Sequence, residues 1–281
     1  MKRGELRALL EAHGLSPRQI YGQNFLIDPA LLAAIPQDAG VLVGDRVLEV
    51  GPGAGSLTRE LLDAGAQVYA VEIDAGMVKL LRERFAAELE SDALRLLHAD
   101  VLAADEELHA EVESWWRAGS APRVVANLPY AISGPFLARL IGRPLMGATL
   151  LLQREVAEKA ASRTETGPLP IRLGQHFAAT VGRKVPAQVF WPRPKVDSAF
   201  LQLVPLDDAP NVAVDAALRR LLRESFSQRR KRVLGLLGKS WPAAAACLTE
   251  LGVLPDARAE QVEPNLWRAA AQELARHGDC V

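Results

Sequence analysis

The sequence predicts an α/β fold, in which a doubly wound, mostly parallel sheet with helices on both faces precedes a smaller all-α C-terminal domain. Two observations predict the sheet. Short apolar runs alternate with helical patterns as far as Val204, and one run leads into a glycine-rich turn that opens a helix. The second domain is predicted because the apolar spacing after Val204 is helical throughout. We expect a first domain at 1–205, a linker at 206–211 and a helical domain at 212–281.

The composition is that of a folded globular chain. Of its 281 residues, 49% are hydrophobic. No apolar run approaches the ~20 residues that span a membrane. The N-terminus lacks the apolar core of a signal peptide. Cys247 and Cys280 fit neither a disulfide framework nor a metal-ligand spacing. We expect a cytoplasmic monomer without a structural metal. Because the net charge is −1, binding to nucleic acid would need a local basic patch.

The N-terminal segment combines a short helix with a polar loop. Leucine spacing predicts a helix over 5–13, and Asp28 followed by Pro29 is the start signal of a second helix. Gln23 and Asn24 lie in the loop between them. They are either ordinary polar loop residues or part of a flap over a ligand.

A glycine-rich turn, Gly51-Pro52-Gly53-Ala54-Gly55, joins a short apolar strand to a helix that begins at Leu57. Its glycines allow the backbone to approach a ligand closely. The dinucleotide fingerprint fails at Ser56, where it requires Gly or Ala, so a nicotinamide cofactor is disfavoured. Glu49 precedes the turn and would repel a phosphate, whereas it would attract a cationic ligand such as a sulfonium with an ammonium group.

Acidic residues end the next two predicted strands. Glu72 directly follows the strand 67–71 and lies 21 positions after Gly51. An acid at this distance suits a bidentate acceptor for ribose hydroxyls. Asp100 falls at the end of the strand 94–101. It either accepts from an adenine amino group or caps the following helix.

The other elements predicted up to Val204 are helices at 76–89, 103–120, 136–141 and 154–162, strands at 123–126, 148–153 and 198–204, and a loop at 164–170.

Asn127-Leu128-Pro129-Tyr130 follows the strand 123–126, at an edge of the sheet where ligands bind. It is either an ordinary turn or a site for a poor amine nucleophile such as the exocyclic nitrogen of adenine. In the second case the Asn127 amide oxygen accepts one N–H. The carbonyl of Leu128 or Pro129 accepts the other, and Tyr130 stacks on the flipped base.

Two later segments have the residue types of nucleic-acid contacts. A rigid loop with Pro192 and Pro194 presents Phe190, Trp191, Arg193 and Lys195; the alternative is a strand-entry turn, with or without a cis proline. Residues 219–232 carry seven basic residues and one acid, either a solvated helix surface or an RNA contact. Helices are predicted at 214–226, 241–251, 257–262 and 264–276.

These segments together resemble the small-subunit rRNA adenine dimethyltransferases of the KsgA type. The matching stretches occur in family order and span nearly the whole chain. They are Gly22-Gln23-Asn24-Phe25-Leu26, Glu49-Val50-Gly51-Pro52-Gly53, Val71-Glu72-Ile73-Asp74, Asn127-Leu128-Pro129-Tyr130, 190–198 and Ser227-Gln228-Arg229-Arg230-Lys231.

The resemblance implies a Rossmann-like class I methyltransferase sheet and S-adenosylmethionine as the methyl donor. The implied substrate is a pair of adjacent adenosines near the 3′ end of small-subunit rRNA, dimethylated at N6 within a ribosomal small-subunit precursor. It implies catalytic roles for Asn127, Pro129, Tyr130 and Phe190. Donor binding is implied for Asn24, Leu26, Gly51, Gly53, Glu72, Asp100 and Asn127, and RNA binding for Arg193, Lys195, Arg229, Arg230, Lys231 and Arg232.

Two other functions fit the same pattern. One is the related large-subunit rRNA adenine N6-methyltransferase that confers macrolide resistance, which shares the donor site and a variant of the Asn-Leu-Pro-Tyr motif. The other is a non-catalytic ribosome assembly or transcription factor on the same fold. The segment 190–198 and the C-terminal helical tail favour the small-subunit enzyme over the first. The presence of Glu72, Asp100 and Asn127 argues against the second.

Overall fold

The computed structural model describes residues 1–103, 107–162, 164, 166–228 and 230–277. The chain forms two compact units. The first comprises Met1–Glu158 and Thr180–Val204, and the second comprises Lys159–Ala179 and Pro205–Val281. The second unit therefore includes Lys159–Ala179, which the sequence pattern assigns to the first domain. The catalytic role of the first domain and the RNA-binding role of the second remain predictions.

The strands are β1 (Phe25–Leu26), β2 (Arg46–Val50), β3 (Gln67–Glu72), β4 (Leu94–His98), β5 (Arg123–Asn127), β6 (Gly147–Gln153), β7 (Phe177–Val185), β8 (Phe190–Trp191) and β9 (Ser198–Pro205). The helices of the first part are α1 (Arg3–Ala12), α2 (Pro29–Asp38), α3 (Ser56–Asp63), α4 (Ala75–Arg84), α5 (Ala86–Glu90), α6 (Ala110–Arg117), α7 (Ser133–Leu140) and α8 (Arg154–Ala161). They are followed by α9 (Pro168–His176), α10 (Val212–Ser225), α11 (Val233–Ser240), α12 (Pro242–Glu250) and α13 (Pro264–Arg276).

Seven strands form one sheet in the order β4-β3-β2-β5-β6-β9-β7. The pairs from β4 to β6 are parallel, and β9 joins β6 antiparallel. This confirms the predicted mostly parallel α/β sheet. Strand order reverses between β2 and β5, the switch point where open sheets of this kind bind ligands. The carboxyl ends of β2, β3, β4 and β5 share one edge there, and β1 pairs separately with β8.

Buried apolar runs explain why the central strands form. Val47, Leu48 and Val50 of β2 and Val124 and Val125 of β5 are buried, as expected for strands covered on both faces. Asp28 and Asp74 start α2 and α4, where their carboxylates accept backbone N–H groups of the first turn.

The second unit has its own core. Leu218, Leu221 and Leu222 are fully buried, as the apolar face predicted for α10 requires, and Trp267 of α13 is fully buried in the same core. Asp215 of α10 accepts hydrogen bonds from two α9 side chains, Arg172 (Nη2 to Oδ2, 2.8 Å) and His176 (Nε2 to Oδ1, 2.9 Å). Because these groups are largely withdrawn from water, their pairing gives a physical reason for α9 to belong with the C-terminal helices.

Four element predictions need correction. The stretch 164–170 was predicted as a loop, but α9 begins at Pro168, since proline fits the first turn of a helix. In the described part of the predicted helix 103–120 only α6 is helical, and the predicted helix 257–262 is only a 3-10 turn at Ala259–Gln261. Residues 104–106 and 165, which fall within two of these predictions, lie outside the described residues. The predicted helix 76–89 is broken at Phe85. Among the described residues, none of the helices is both long and apolar enough to cross a membrane.

Candidate functional site

One pocket opens at the switch point of the sheet and brings most of the predicted site residues together. It is lined by Asn24, Leu26, Gly51, Gly53, Glu72, Asp100, Asn127, Pro129 and Tyr130. Glu49, Ile73 and Val101 also line it. Ile73 and Val101 each follow a predicted strand-end acid, an apolar signal that sequence reasoning missed.

The glycine turn forms the floor of the pocket between β2 and α3. Gly51 has a φ of +68°, and a Cβ atom there would lie 3.3 Å from Cδ of Pro129. The turn therefore packs directly against the Asn-Leu-Pro-Tyr segment, and a side chain at this position would be strained as well as crowded. A Cβ atom on Gly53 would lie 2.7 Å from the Phe25 ring, so this turn also lies against the N-terminal loop.

Glu72 is buried at the end of β3. Its Oε2 accepts from the Gly53 backbone N–H (3.0 Å) and its Oε1 from the Asp74 backbone N–H (2.9 Å). Burial raises the pKa of this carboxyl, while these hydrogen bonds act to lower it. A carboxylate oxygen has two lone pairs, so each oxygen retains an acceptor site for a ligand hydroxyl.

Glu49 is the second buried acid of the pocket. Its Oε2 accepts from the Thr58 hydroxyl at 2.7 Å. Burial raises the pKa of Glu49 to about 8; the hydrogen bond opposes this shift and the charge of Glu72 adds to it. A nearby cation would favour the ionised form of both acids, so the pocket is electrostatically suited to a positively charged ligand.

Asp100 lies just beyond β4 at the pocket wall. Its Oδ1 accepts from the Leu102 backbone N–H at 2.9 Å. The carboxylate thus stabilises a local turn, and α6 begins only at Ala110. Its remaining lone pairs are acceptors for a ligand amino group.

The N-terminal loop contributes Gln23 and Asn24 to the lining of the pocket, as the flap interpretation expects. The Gln23 amide nitrogen donates to Asp74 Oδ2 at 3.0 Å, which joins the loop to the start of α4. The Asn24 amide nitrogen donates to the Gly22 carbonyl at 3.1 Å, within the loop itself.

Asn127 ends β5 inside the pocket. Its amide nitrogen donates to the Asn24 carbonyl at 3.0 Å, which leaves the amide oxygen as its acceptor toward a ligand. The Pro129 carbonyl accepts from the Ile132 backbone N–H and the Ser133 hydroxyl within its own turn. This arrangement favours the Leu128 carbonyl as the second acceptor.

The aromatic residues differ in their surroundings. Tyr130 is half-buried at the pocket and its hydroxyl lies 2.8 Å from the Ser198 hydroxyl. Phe190 is 3% exposed and packs in the core cluster with Leu26 and Leu32. Its predicted stacking role would need the ring to become accessible, and the role stays a prediction.

The loop with Pro192 and Pro194 contains a cis proline, because the Trp191–Pro192 peptide bond is cis.

The predicted RNA-binding residues that the structure describes are exposed. Arg193 and Lys195 of the first unit are exposed, as are Arg230, Lys231 and Arg232 of the second. Arg229 lies outside the described residues.

The pocket fits an adenosine-containing cation. Glu72 offers a bidentate acceptor for a ribose, and Asp100 offers an acceptor for the adenine amino group. The apolar side chains of Ile73 and Val101 next to these acids suit the faces of the base. Glu49 suits a positive charge on the ligand, and the crowded glycine turn suits a narrow part of the ligand.

Comparisons with known proteins agree with this geometry. The sequence model of the family described as Ribosomal RNA adenine dimethylase matches residues 14–276. The chain is 39% identical to a protein named Ribosomal RNA small subunit methyltransferase A from Anaeromyxobacter sp. (strain K), over 95% of this chain and 97% of that one.

Two solved structures are similar over most of the chain. One is a dimethyladenosine transferase from Plasmodium falciparum, with 25% identity and a TM-score of 0.70 over 90% of this chain and 98% of that one. The other is the 23S rRNA methyltransferase ErmE, with 27% identity and a TM-score of 0.64 over 89% and 99%.

Proposed function

The chain belongs to the ribosomal RNA adenine dimethylase family, and from that premise we propose that it dimethylates N6 of two adjacent adenosines near the 3′ end of small-subunit rRNA. The donor is S-adenosylmethionine, and the substrate is a small-subunit precursor in the cytoplasm. The observation that carries the proposal is the shared pocket, where Glu72 and Asp100 lie beside the acceptors of Asn127 and Leu128.

S-adenosylmethionine, when bound, supplies an electrophilic methyl group. Glu72 accepts the ribose hydroxyls and Asp100 accepts from the adenine amino group. Glu49 and the glycine turn would hold the cationic end of the donor, whose positive charge would favour the ionised form of Glu49. Gly51 is needed there because any side chain would fill the gap in front of Pro129.

The target nitrogen is oriented by two acceptors. The Asn127 amide oxygen accepts one N–H of the adenine amino group and the Leu128 carbonyl accepts the other. Together they hold the nitrogen pyramidal, with its lone pair directed at the methyl group. Tyr130 stacks on the extruded base. Orientation of this kind can contribute several kcal/mol to the rate.

A strong general base is unnecessary in this mechanism. The methylated nitrogen is positively charged and acidic enough to lose its proton to water. Burial raises the pKa of Tyr130, so its hydroxyl stays neutral and acts through stacking and hydrogen bonding.

RNA contact is assigned to two basic surfaces. Arg193 and Lys195 lie in the loop between β8 and β9 of the first unit. Arg229, Arg230, Lys231 and Arg232 follow α10 in the second. Basic side chains of this kind contact phosphates and give binding that weakens as salt increases.

Relatives support the small subunit as the target. The chain is 39% identical to a small-subunit methyltransferase and 27% identical to ErmE, a 23S rRNA methyltransferase. The Plasmodium dimethyladenosine transferase also has the higher TM-score of the two structures. A non-catalytic role is disfavoured because both acids and Asn127 line the same pocket.

The test uses donor with a tritiated methyl group and purified ribosomal subunits that lack their native methylation. Label is expected in the small subunit, with little in the large one. Label confined to the large subunit would favour the resistance-type enzyme. Absence of label in either, together with measured donor binding, would favour the assembly role.

A further inference from the structure

Ser198 lies at the point where β9 begins, next to the pocket but 68 positions from Tyr130 in the chain. Its side chain is fully buried, and its hydroxyl is 2.8 Å from the phenol oxygen of Tyr130. Either oxygen can donate in this pair. The contact therefore joins the ring of the Asn-Leu-Pro-Tyr segment to a different strand of the sheet.

The backbone around Ser198 is well anchored. Ser198 pairs with Gln153 at the end of β6. The preceding Asp197 accepts the Arg154 backbone N–H through its carbonyl and the Ala187 backbone N–H through Oδ1, both at 3.0 Å. Because its position is fixed by these bonds, the Ser198 hydroxyl provides a fixed partner rather than a mobile one.

Tyr130 has less support from its own segment. It opens a short 3-10 turn, Tyr130–Ile132, and the residue is partly exposed. A tyrosine ring turns about two side-chain bonds, and its phenol oxygen lies on the axis of the second. A hydrogen bond at that oxygen therefore restricts rotation about the first bond and fixes where the ring lies. Immobilising a flexible side chain on binding costs about 0.5–1.5 kcal/mol. A ring already held in place avoids that cost when a base stacks on it.

We propose that Ser198 is a positioning residue for methyl transfer, whose hydroxyl holds the Tyr130 ring at the place where it stacks on the target adenine. This inference rests on the proposed function. Ser198 itself touches neither donor nor base in this account and acts through Tyr130.

The test compares Ser198→Ala, Tyr130→Phe and the double variant in single-turnover methyl transfer to small-subunit particles. Each single variant removes the same hydrogen bond and retains an aromatic ring at position 130. We expect each to slow transfer about tenfold, the effect of one hydrogen bond worth about 1.4 kcal/mol. The double variant is expected to be no slower than either single one, because the two changes break one interaction.

Controls separate positioning from a general loss of structure. Thr149→Val removes another buried hydroxyl, from β6, and is expected to keep the wild-type rate. The donor affinity of Ser198→Ala should remain close to that of the wild type, so that its defect appears in the transfer rate.

Three results would overturn the inference: a wild-type transfer rate in Ser198→Ala, losses that multiply in the double variant, or a loss explained by weaker donor binding. Failure of the proposed function looks different, because the wild-type chain would then transfer no methyl group to small-subunit rRNA. That result would remove the basis of the inference as well.

Discussion

At the residue scale, Asn127 is the centre of the account. Its amide nitrogen is held by the Asn24 carbonyl, so the chain itself fixes which end of the amide can accept from a substrate. The flap loop and the nucleophile-orienting residue are thus connected by one hydrogen bond, which the sequence pattern alone did not indicate.

Asn127→Ala is expected to lose at least about a hundredfold in methyl transfer, because removing one oriented polar group from a reacting centre has effects of this size. Donor affinity should change little, since Glu72 and Asp100 remain. The measurements are single-turnover transfer and calorimetric donor binding. Asn265→Ala, at an exposed asparagine of α13, is the matched control. A rate near wild type would rule out the orienting role.

Glu49 links stability to pH. Burial raises its pKa from 4.5 to about 8, so the folded chain keeps a proton that the unfolded chain releases between these values. The stability associated with this group is therefore complete below about pH 4.5 and declines as the pH rises toward 8.

Glu49→Gln should therefore raise the melting temperature of the donor-free protein by about 2 °C or more near pH 9, and by much less near pH 5. Its donor affinity should fall, because the negative charge facing a cation is lost. Melting curves at both pH values, with the exposed Glu90→Gln as control, measure this. An equal shift at both pH values would show that Glu49 is not the titrating group.

At the element scale, the glycine turn between β2 and α3 has little room. Gly51→Ala forces a residue with a side chain into a φ of +68° and brings its Cβ to 3.3 Å from Pro129. We expect donor affinity to fall about tenfold or more, equivalent to about 1.4 kcal/mol, together with a lower melting temperature.

Gly174→Ala is the control for that substitution. Gly174 is exposed within α9, and its added Cβ would meet no atom within 4 Å. Alanine is the better helix former, so this variant should keep donor affinity and melt at the same or a higher temperature. If Gly51→Ala binds donor as well as this control does, the turn does not form the donor site.

Elements with strong periodicity were predictable and weakly patterned ones were not. The buried runs of β2 and β5 and the apolar face of α10 were predicted, and β5 and α10 at nearly their observed bounds. By contrast, β7 lies at the end of the sheet, and its buried positions do not alternate. The start of α9 contains Gly167, Pro168 and Pro170, which favour a loop when only local sequence is considered.

The site residues, too, were predictable where local sequence determines them and unpredictable where distant parts of the chain meet. Strand-end acids, the glycine turn and Asn127 follow from local sequence, because parallel strands bring their carboxyl ends to one edge. The Tyr130–Ser198 contact joins residues far apart in the chain, and so does the bond from Asn127 to Asn24. The burial of Phe190 depends on β8 pairing with β1, which local sequence does not specify.

At the scale of the whole molecule, charge is unevenly distributed. The chain has a net charge of −1, yet residues 219–232 carry seven basic residues and one acid. Changing Arg229, Arg230 and Lys231 to Glu should weaken binding to small-subunit particles at least tenfold and reduce its dependence on salt. Donor affinity should stay unchanged, because donor and RNA contacts are assigned to different residues.

The matched control reverses three exposed basic residues of the first unit, Arg3, Lys79 and Arg82. It alters net charge equally, so it separates a local contact from a global electrostatic effect. Equal weakening in both variants would mean that the segment 229–231 has no special role in binding.

The most direct test of the central claim identifies the product. Small subunits lacking native methylation are treated with the protein and a donor carrying a deuterated methyl group, and the rRNA is digested and examined by mass spectrometry. We predict N6,N6-dimethyladenosine with both methyl groups labelled, at two adjacent positions near the 3′ end. Label on another base, or methylation that stops at one methyl group per adenosine, would contradict it.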